Sequence, residues 1–152
     1  MNYRKFFARK AEEVARDLLG RTLVRNTERG GYIGGRITET AAYEDGKETE
    51  QMKGMRYAPG TIFLMPFRGH LFLNIATDRK NCPSCVAIRE VAFPDKVVRG
   101  PGAVSNHLGL TRNLDGILLG NELEILGEQP EDLKIRKTRE GPNYCLGYFS
   151  VK

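Results

Sequence analysis

The sequence predicts an α+β fold, a single domain over residues 1–152 in which a strongly curved, mostly antiparallel sheet packs against a few helices. Three observations lead there. Apolar runs of strand length recur along the chain, separated by turn residues. Helical spacing appears only in residues 6–19 and in a short stretch after Gly100. A chain of 152 residues fits one domain and can bury roughly 70% of its unfolded surface without staples.

Each element has its own justification. In "FFARKAEEVARDLL", residues 6–19, Ala11, Val14, Ala15 and Leu18 recur at helical spacing, and Gly20 is a natural C-terminal stop. This predicts one amphipathic helix. "RTLVRN" and "YIGGRITETAAY" predict two strands joined by a turn at Glu28-Arg29-Gly30-Gly31. The Gly34-Gly35 pair inside the second marks a bulge or a close backbone approach. Residues 44–60 form a long polar loop ending at Pro59-Gly60, of a length that is often functional. "TIFLM" and "LFLNIAT" are the most apolar runs and predict central strands, with a tight turn at Pro66-Phe67-Arg68-Gly69. "CVAIREVAF" is another strand, where Arg89 follows four apolar residues and calls for an anionic or carbonyl partner. Gly100-Pro101 opens a short helix reaching Leu108. "ELEIL", "LKIRKT" and "LGYFSV" close the sheet.

Composition sets outer limits. Hydrophobic residues make up 40% and charged residues 28%, ordinary for a globular protein. No apolar run reaches the ~20 residues of a membrane span, and "MNYRKFFARK" lacks the apolar core of a secretory signal, so a cytoplasmic location is expected. The net charge is +5 and the pI about 9.2. Arg4, Lys5, Arg9 and Lys10 crowd one end and Lys134, Arg136, Lys137 and Arg139 the other, around an acidic stretch from Glu39 to Glu50. Such ends either grip phosphates around a site or are ordinary solvated charge.

Cys82-Pro83-Ser84-Cys85 has the spacing of metal and redox motifs, but only Cys145, His70 and His107 could complete a zinc shell. A strand follows Cys85, instead of the helix start that activates a thiolate. Buried or inert thiols are the favoured reading, beside a metal or thiol site and a Cys82–Cys85 disulfide.

The stretch "ITETAAYED", Ile37 to Asp45, puts Glu39, Ala41 and Tyr43 on one strand face, with an alanine between two polar groups. "RITETAAYED", "GMRYAPGTIFLM", "CVAIRE" and "RGPGAV…LGL" resemble, in order and spacing, motifs of the alkyladenine (3-methyladenine) DNA glycosylases of the Mpg type. The resemblance covers most of the chain, which is shorter than most relatives after residue 43 and near the C-terminus. It implies a base-excision-repair enzyme that needs no metal or cofactor and acts as a monomer on damaged double-stranded DNA. Such an enzyme, nucleoid-associated in a prokaryote and without a membrane partner, extrudes a damaged purine to cut its bond to deoxyribose.

By resemblance, Tyr43 stacks on the flipped base, Arg89 stands near the sugar-phosphate and the attacking water, and Met65 covers the base where relatives carry a tyrosine. Arg68 occupies the place of the wedge residue that fills the emptied stack. Asn74 matches an asparagine that rejects guanine, if one residue is deleted after Gly69; a bulge must then keep its face. Gly69, Gly100 and Pro101 meet the DNA backbone, the last two as a helix start with free N–H groups. The departure is Ala41. The family motif reads Glu-Thr-Glu-Ala-Tyr, so the general base is absent from its usual place, a loss worth roughly 10²–10⁴ in rate. Glu39, two residues along the same face, or Glu44 or Asp45 folding back, would have to replace it; cationic lesions need less help. The alternatives are a non-catalytic binder of damaged or flipped bases and a disabled variant.

Overall fold

A computed structural model describes residues 1–45, 49–139, 141 and 144–151, with Arg139 described in its backbone alone. Residues 46–48 of the predicted polar loop lie outside the described residues. In chain order the elements are α1 (Tyr3–Phe7), α2 (Ala11–Leu18), β1 (Thr22–Asn26), β2 (Tyr32–Glu44), β3 (Ile62–Phe67), β4 (His70–Ala76), β5 (Ser84–Ala92), β6 (Val97–Arg99), α3 (Pro101–His107), β7 (Leu123–Leu126), β8 (Arg136–Arg139) and β9 (Cys145–Ser150). All described strand pairs are antiparallel and join into one curled sheet, so the α+β class holds.

The single N-terminal helix expected from spacing is two. The chain breaks between Phe7 and Ala11, and the carbonyls of Phe7 and Arg9 both accept the Asp78 N–H, at 3.0 and 2.9 Å. Phe7, Ala11, Val14, Ala15 and Leu18 are all fully buried, at a spacing that one continuous helix would also satisfy. Tertiary hydrogen bonds therefore set a break that the apolar period hides. Asn2 caps α1 through its side chain, and Gly20 takes a left-handed φ of 85° just beyond α2, as a C-terminal stop requires.

The 13-residue β2 is the spine. One edge pairs with β5; the other pairs first with β1 (Tyr32 to Arg36) and then with β9 (Glu39 to Tyr43). Changing partner along one edge bends the sheet into a half-barrel. Gly35 sits at a close approach: a Cβ there would lie 2.7 Å from Val91 Cγ1 and 2.8 Å from the Ala92 carbonyl oxygen. The register with β1 runs through Gly34 and Gly35 without a shift. The bulges fall further on, between Ile37 and Thr40 against β5 and between Ala42 and Tyr43 against β9.

The strand order β3-β4-β5-β2-β1-β7 corrects one expectation. "TIFLM" forms an edge strand, and the centre belongs to β5 and β2. The edge reads as apolar because its exposed rim is covered locally. Ile62 N–H donates to the Ile117 carbonyl, Leu64 N–H donates to Asp115 Oδ1 at 2.9 Å, and Gln51 Nε2 donates to the Pro66 carbonyl at 2.6 Å. Pro66 has no N–H to leave unpaired.

Helix α2 packs on one face of the sheet. Thr40 Oγ1 donates to the Ala15 carbonyl at 2.8 Å, so the even residues of β2 near it face α2, and Ala42 joins the main core with Ile88 and Phe149. The odd residues, Glu39, Ala41 and Tyr43, face the other side. None of the helices in the described residues is long and apolar enough to cross a membrane.

Candidate active site

On the face away from α1 and α2 the sheet curls round a cavity of about 380 Å³. Cross-strand registers align its floor. Phe63 on β3 stands opposite Asn74 on β4, Asn74 opposite Ala87 on β5, Ala87 opposite Ala41 on β2, and Ala41 opposite Tyr148 on β9. A second row runs Cys85, Tyr43, Cys145. Cys145 and Tyr148 share a face, although three residues apart, because the bulge between Ala42 and Tyr43 absorbs one residue.

Tyr43, Met65, Asn74 and Arg89 all line this cavity, so residues far apart in sequence converge on one space. Asn74 is 4% exposed; its Nδ2 donates to the Phe72 carbonyl at 3.0 Å, and Cys85 Sγ donates to its Oδ1 at 3.6 Å. No bulge is needed to turn Asn74 inward: the β3–β4 register runs unbroken from Ile62↔Ile75 to Phe67↔His70. Burial raises the Tyr43 phenol above its ordinary value, helped by the neighbouring Cys145 and Tyr148, against a smaller opposite pull from Arg89. The phenol is therefore neutral at physiological pH. Burial likewise pushes the Cys85 thiol up, so it is a protonated, weak donor to Asn74 and not a nucleophile.

Arg89 has the partner its half-buried position called for. Its Nε donates to Glu39 Oε1 at 3.1 Å, with the side chains 27% and 25% exposed, and its guanidinium lies 4.6 Å from the centre of the Tyr148 ring. The aim of this arginine has a local cause. In the β2–β5 ladder Glu39 pairs with Glu90 and Thr40 with Ile88, which leaves Arg89 as the extra residue of a bulge. The buried Glu90 carboxylate staples that irregularity. It accepts from Thr38 Oγ1 at 2.8 Å and from Arg99 Nε at 2.6 Å.

Ala41 is fully buried in a small cluster with Ala87, Cys145, Tyr148 and Tyr43. None of the described residues lining the cavity is a carboxylate. Glu39 stands behind Arg89. Glu44 and Asp45 are not in the lining either: Glu44 is on the even face of β2, near Lys10, and Asp45 N–H donates to the Pro83 carbonyl at 2.9 Å.

Arg68 and Gly69 form the two-residue tip of the β3–β4 hairpin, with φ of 48° and 80°. The Arg68 guanidinium rests 5.2 Å from the centre of the Phe67 ring, which is 40% exposed, lines the cavity and contacts Phe72. Pro101 lines the cavity at the start of α3, and Gly100 N–H is already bonded to the Arg89 carbonyl at 2.6 Å.

Sequence reading missed Phe63, Phe67 and Phe72 as cavity residues, though period-two alternation with Met65 and Asn74 was the available signal. It also missed Gln51, Met52 and Tyr144, which come from irregular segments with no pattern to betray them. The basic ends do not converge on the cavity. Arg9 pairs with Asp17 at 2.7 Å, and Lys137 pairs with Glu12 at 3.4 Å; Arg16 and Lys137 lie over Phe149, on the helix-covered face. The side chain of Arg139 lies outside the described residues. Among the described residues no three histidine, cysteine or acidic side chains gather as a metal site, and the three cysteines are free thiols.

The model of the methylpurine-DNA glycosylase (MPG) family matches residues 5–96. A Synechococcus elongatus protein named "Putative 3-methyladenine DNA glycosylase" is 35% identical over 146 residues, covering 86% of this chain and 75% of its own length. Proteins of the same name from Methanocella arvoryzae and Desulfitobacterium hafniense are 31% and 29% identical, covering 74% and 87% of this chain and 69% and 82% of their own. With more than half its length matched, this chain belongs to the methylpurine-DNA glycosylase family.

Proposed function

We propose that the protein removes alkylated or deaminated purines of the 3-methyladenine type from damaged double-stranded DNA, taking the extruded base into the cavity beneath Tyr43. The carrying observation is that one cavity gathers Tyr43, Met65, Asn74 and Arg89. Its volume of about 380 Å³ lies within the roughly 300–1,000 Å³ of small-ligand sites.

The Tyr43 ring stacks on the base, which is worth roughly 1–3 kcal/mol, and Met65 covers it from the hairpin side. Asn74 offers one N–H and one lone pair to the base edge, the other halves of its amide being held by Phe72 and Cys85. Arg89 meets the phosphate or sugar, Arg68 fills the space the base leaves, and Gly69, Gly100 and Pro101 let the DNA backbone pass close. Water attacks C1′ of the deoxyribose, the bond to the purine nitrogen breaks, and the base leaves with that electron pair. Glu39, held by Arg89, is the carboxylate on the Tyr43 face of β2 and takes the water's proton in place of a residue at 41.

A second reading, a binder of flipped bases that does not cut, draws support from the absence of a carboxylate among the described lining residues and from the complete burial of Ala41. Single-turnover release of methylated purine from alkylated duplex DNA separates the two. Release by the parent chain that falls roughly 10²-fold or more in Glu39→Ala is the expected result. No release by the parent chain, with lesion binding intact, leaves the non-cutting reading.

A further inference from the structure

Tyr148 has no part in the proposed chemistry, yet it lies against Ala41, Tyr43 and Arg89. It stands opposite Ala41 on β9, as its Cα partner. Its ring is 8% exposed and shares a cluster with Ala41, Ala87, Cys145 and Tyr43. The Arg89 guanidinium lies 4.6 Å from the ring centre, and Arg89 in turn holds Glu39 at 3.1 Å. Tyr43 packs against the cluster that holds Tyr148. Because Ala41 is fully enclosed, a larger side chain at 41 would compete for the volume this ring occupies.

We infer that Tyr148 is a positioning residue that stands in for the side chain missing at 41. Its face carries the Arg89 guanidinium, its ring packs beside Tyr43, and its bulk closes the floor over Ala41. A stacking ring helps only when its plane is held parallel to the base, and Tyr43 at the end of a strand has two free torsions unless a neighbouring side chain packs against it. An arginine paired with Glu39 likewise keeps several side-chain rotamers unless its flat face is seated, and an aromatic face is the matching surface for a guanidinium. A small residue at 41 and a large one at 148 are one packing solution, so their effects are coupled. An acid introduced at 41 does not simply restore a base, because its seat is taken.

This inference rests on the reading that the cavity receives a flipped purine, and the test keeps the two apart. Binding to a duplex holding a single hypoxanthine, and to the same duplex undamaged, is measured by fluorescence anisotropy for the parent, Tyr148→Leu, Tyr43→Leu and the double variant. Tyr148→Leu is expected to weaken hypoxanthine-duplex binding roughly 3–10-fold and leave undamaged-duplex binding unchanged, and Tyr43→Leu to weaken hypoxanthine-duplex binding. The double variant is expected to lose less than the product of the two single losses. Independent, multiplying losses overturn the inference. So does an Ala41→Glu chain that binds and releases the lesion better than the parent without a change at 148. A DNA-free readout is the Arg89 Nε–H resonance, which ring current from Tyr148 displaces. It should stay displaced in Tyr148→Phe and return toward the free-arginine position in Tyr148→Leu; an unmoved resonance in Tyr148→Leu overturns the inference. If the parent binds both duplexes equally while that resonance behaves as expected, base extrusion fails and the positioning contact stands.

Discussion

Gly54 lies against the Phe63 ring with no room for a side chain. A Cβ on it would overlap the Phe63 ring, which lines the cavity, so Gly54→Ala must push that ring inward or shift the turn. Overpacking of this kind costs typically 1–3 kcal/mol. Urea melts should show that loss, and lesion affinity should fall further than stability alone explains, because the displaced ring takes volume from the base. At this scale the sequence was informative where chemistry and alternation agree. Alternation put Glu39, Ala41 and Tyr43 on one face, the resemblance alone pointed to roles for Tyr43 and Arg89, and Arg89's need for an anionic or carbonyl partner followed from its apolar neighbours; Glu39 supplies it. Tyr148 could not be picked out, since its importance comes from register against Ala41, and no local pattern records register between strands so far apart in sequence.

The elements divide in the same way. Strands with clear turn signals formed where alternation placed them, and the β3–β4 hairpin closed on the expected turn. What spacing could not reveal was the break between α1 and α2. It is imposed by the Asp78 N–H reaching two carbonyls, a contact between segments some 70 residues apart. Nor could apolarity tell the centre of the sheet from an edge whose rim is sealed by side chains. That seal is testable. Asp115 accepts from Leu64 N–H at 2.9 Å and from the Tyr57 hydroxyl at 2.8 Å, and burial together with that carboxylate pushes the Tyr57 phenol up to about 12. Asp115→Ala strips the edge of its acceptor and leaves a strand N–H unmatched, at a cost of about 1.5–3 kcal/mol. Thermal melts should show the drop, with the Tyr57 ionisation moving back toward 10.0 in a spectrophotometric titration.

For the whole molecule, net charge was legible and its placement was not. The formal +5 is real, but Arg9, Arg16 and Lys137 serve the helix-covered face, so the charge that meets DNA on this reading comes from Arg68 and Arg89 on the cavity side. Affinity for an abasic-analogue duplex should therefore fall with salt at a slope of about −0.9 per phosphate contacted. The slope should be shallower than the basic ends would suggest. Arg68→Ala should weaken lesion binding, whereas Lys137→Ala should leave both affinity and slope within error; the reverse pattern in a salt series would place the interface on the wrong face. The hairpin tip that carries Arg68 is only two residues long, both held in left-handed backbone conformations. A loop so short has little freedom left to surrender when it meets a partner, so its approach to a double helix is that of a rigid key, and very little affinity is spent on ordering it.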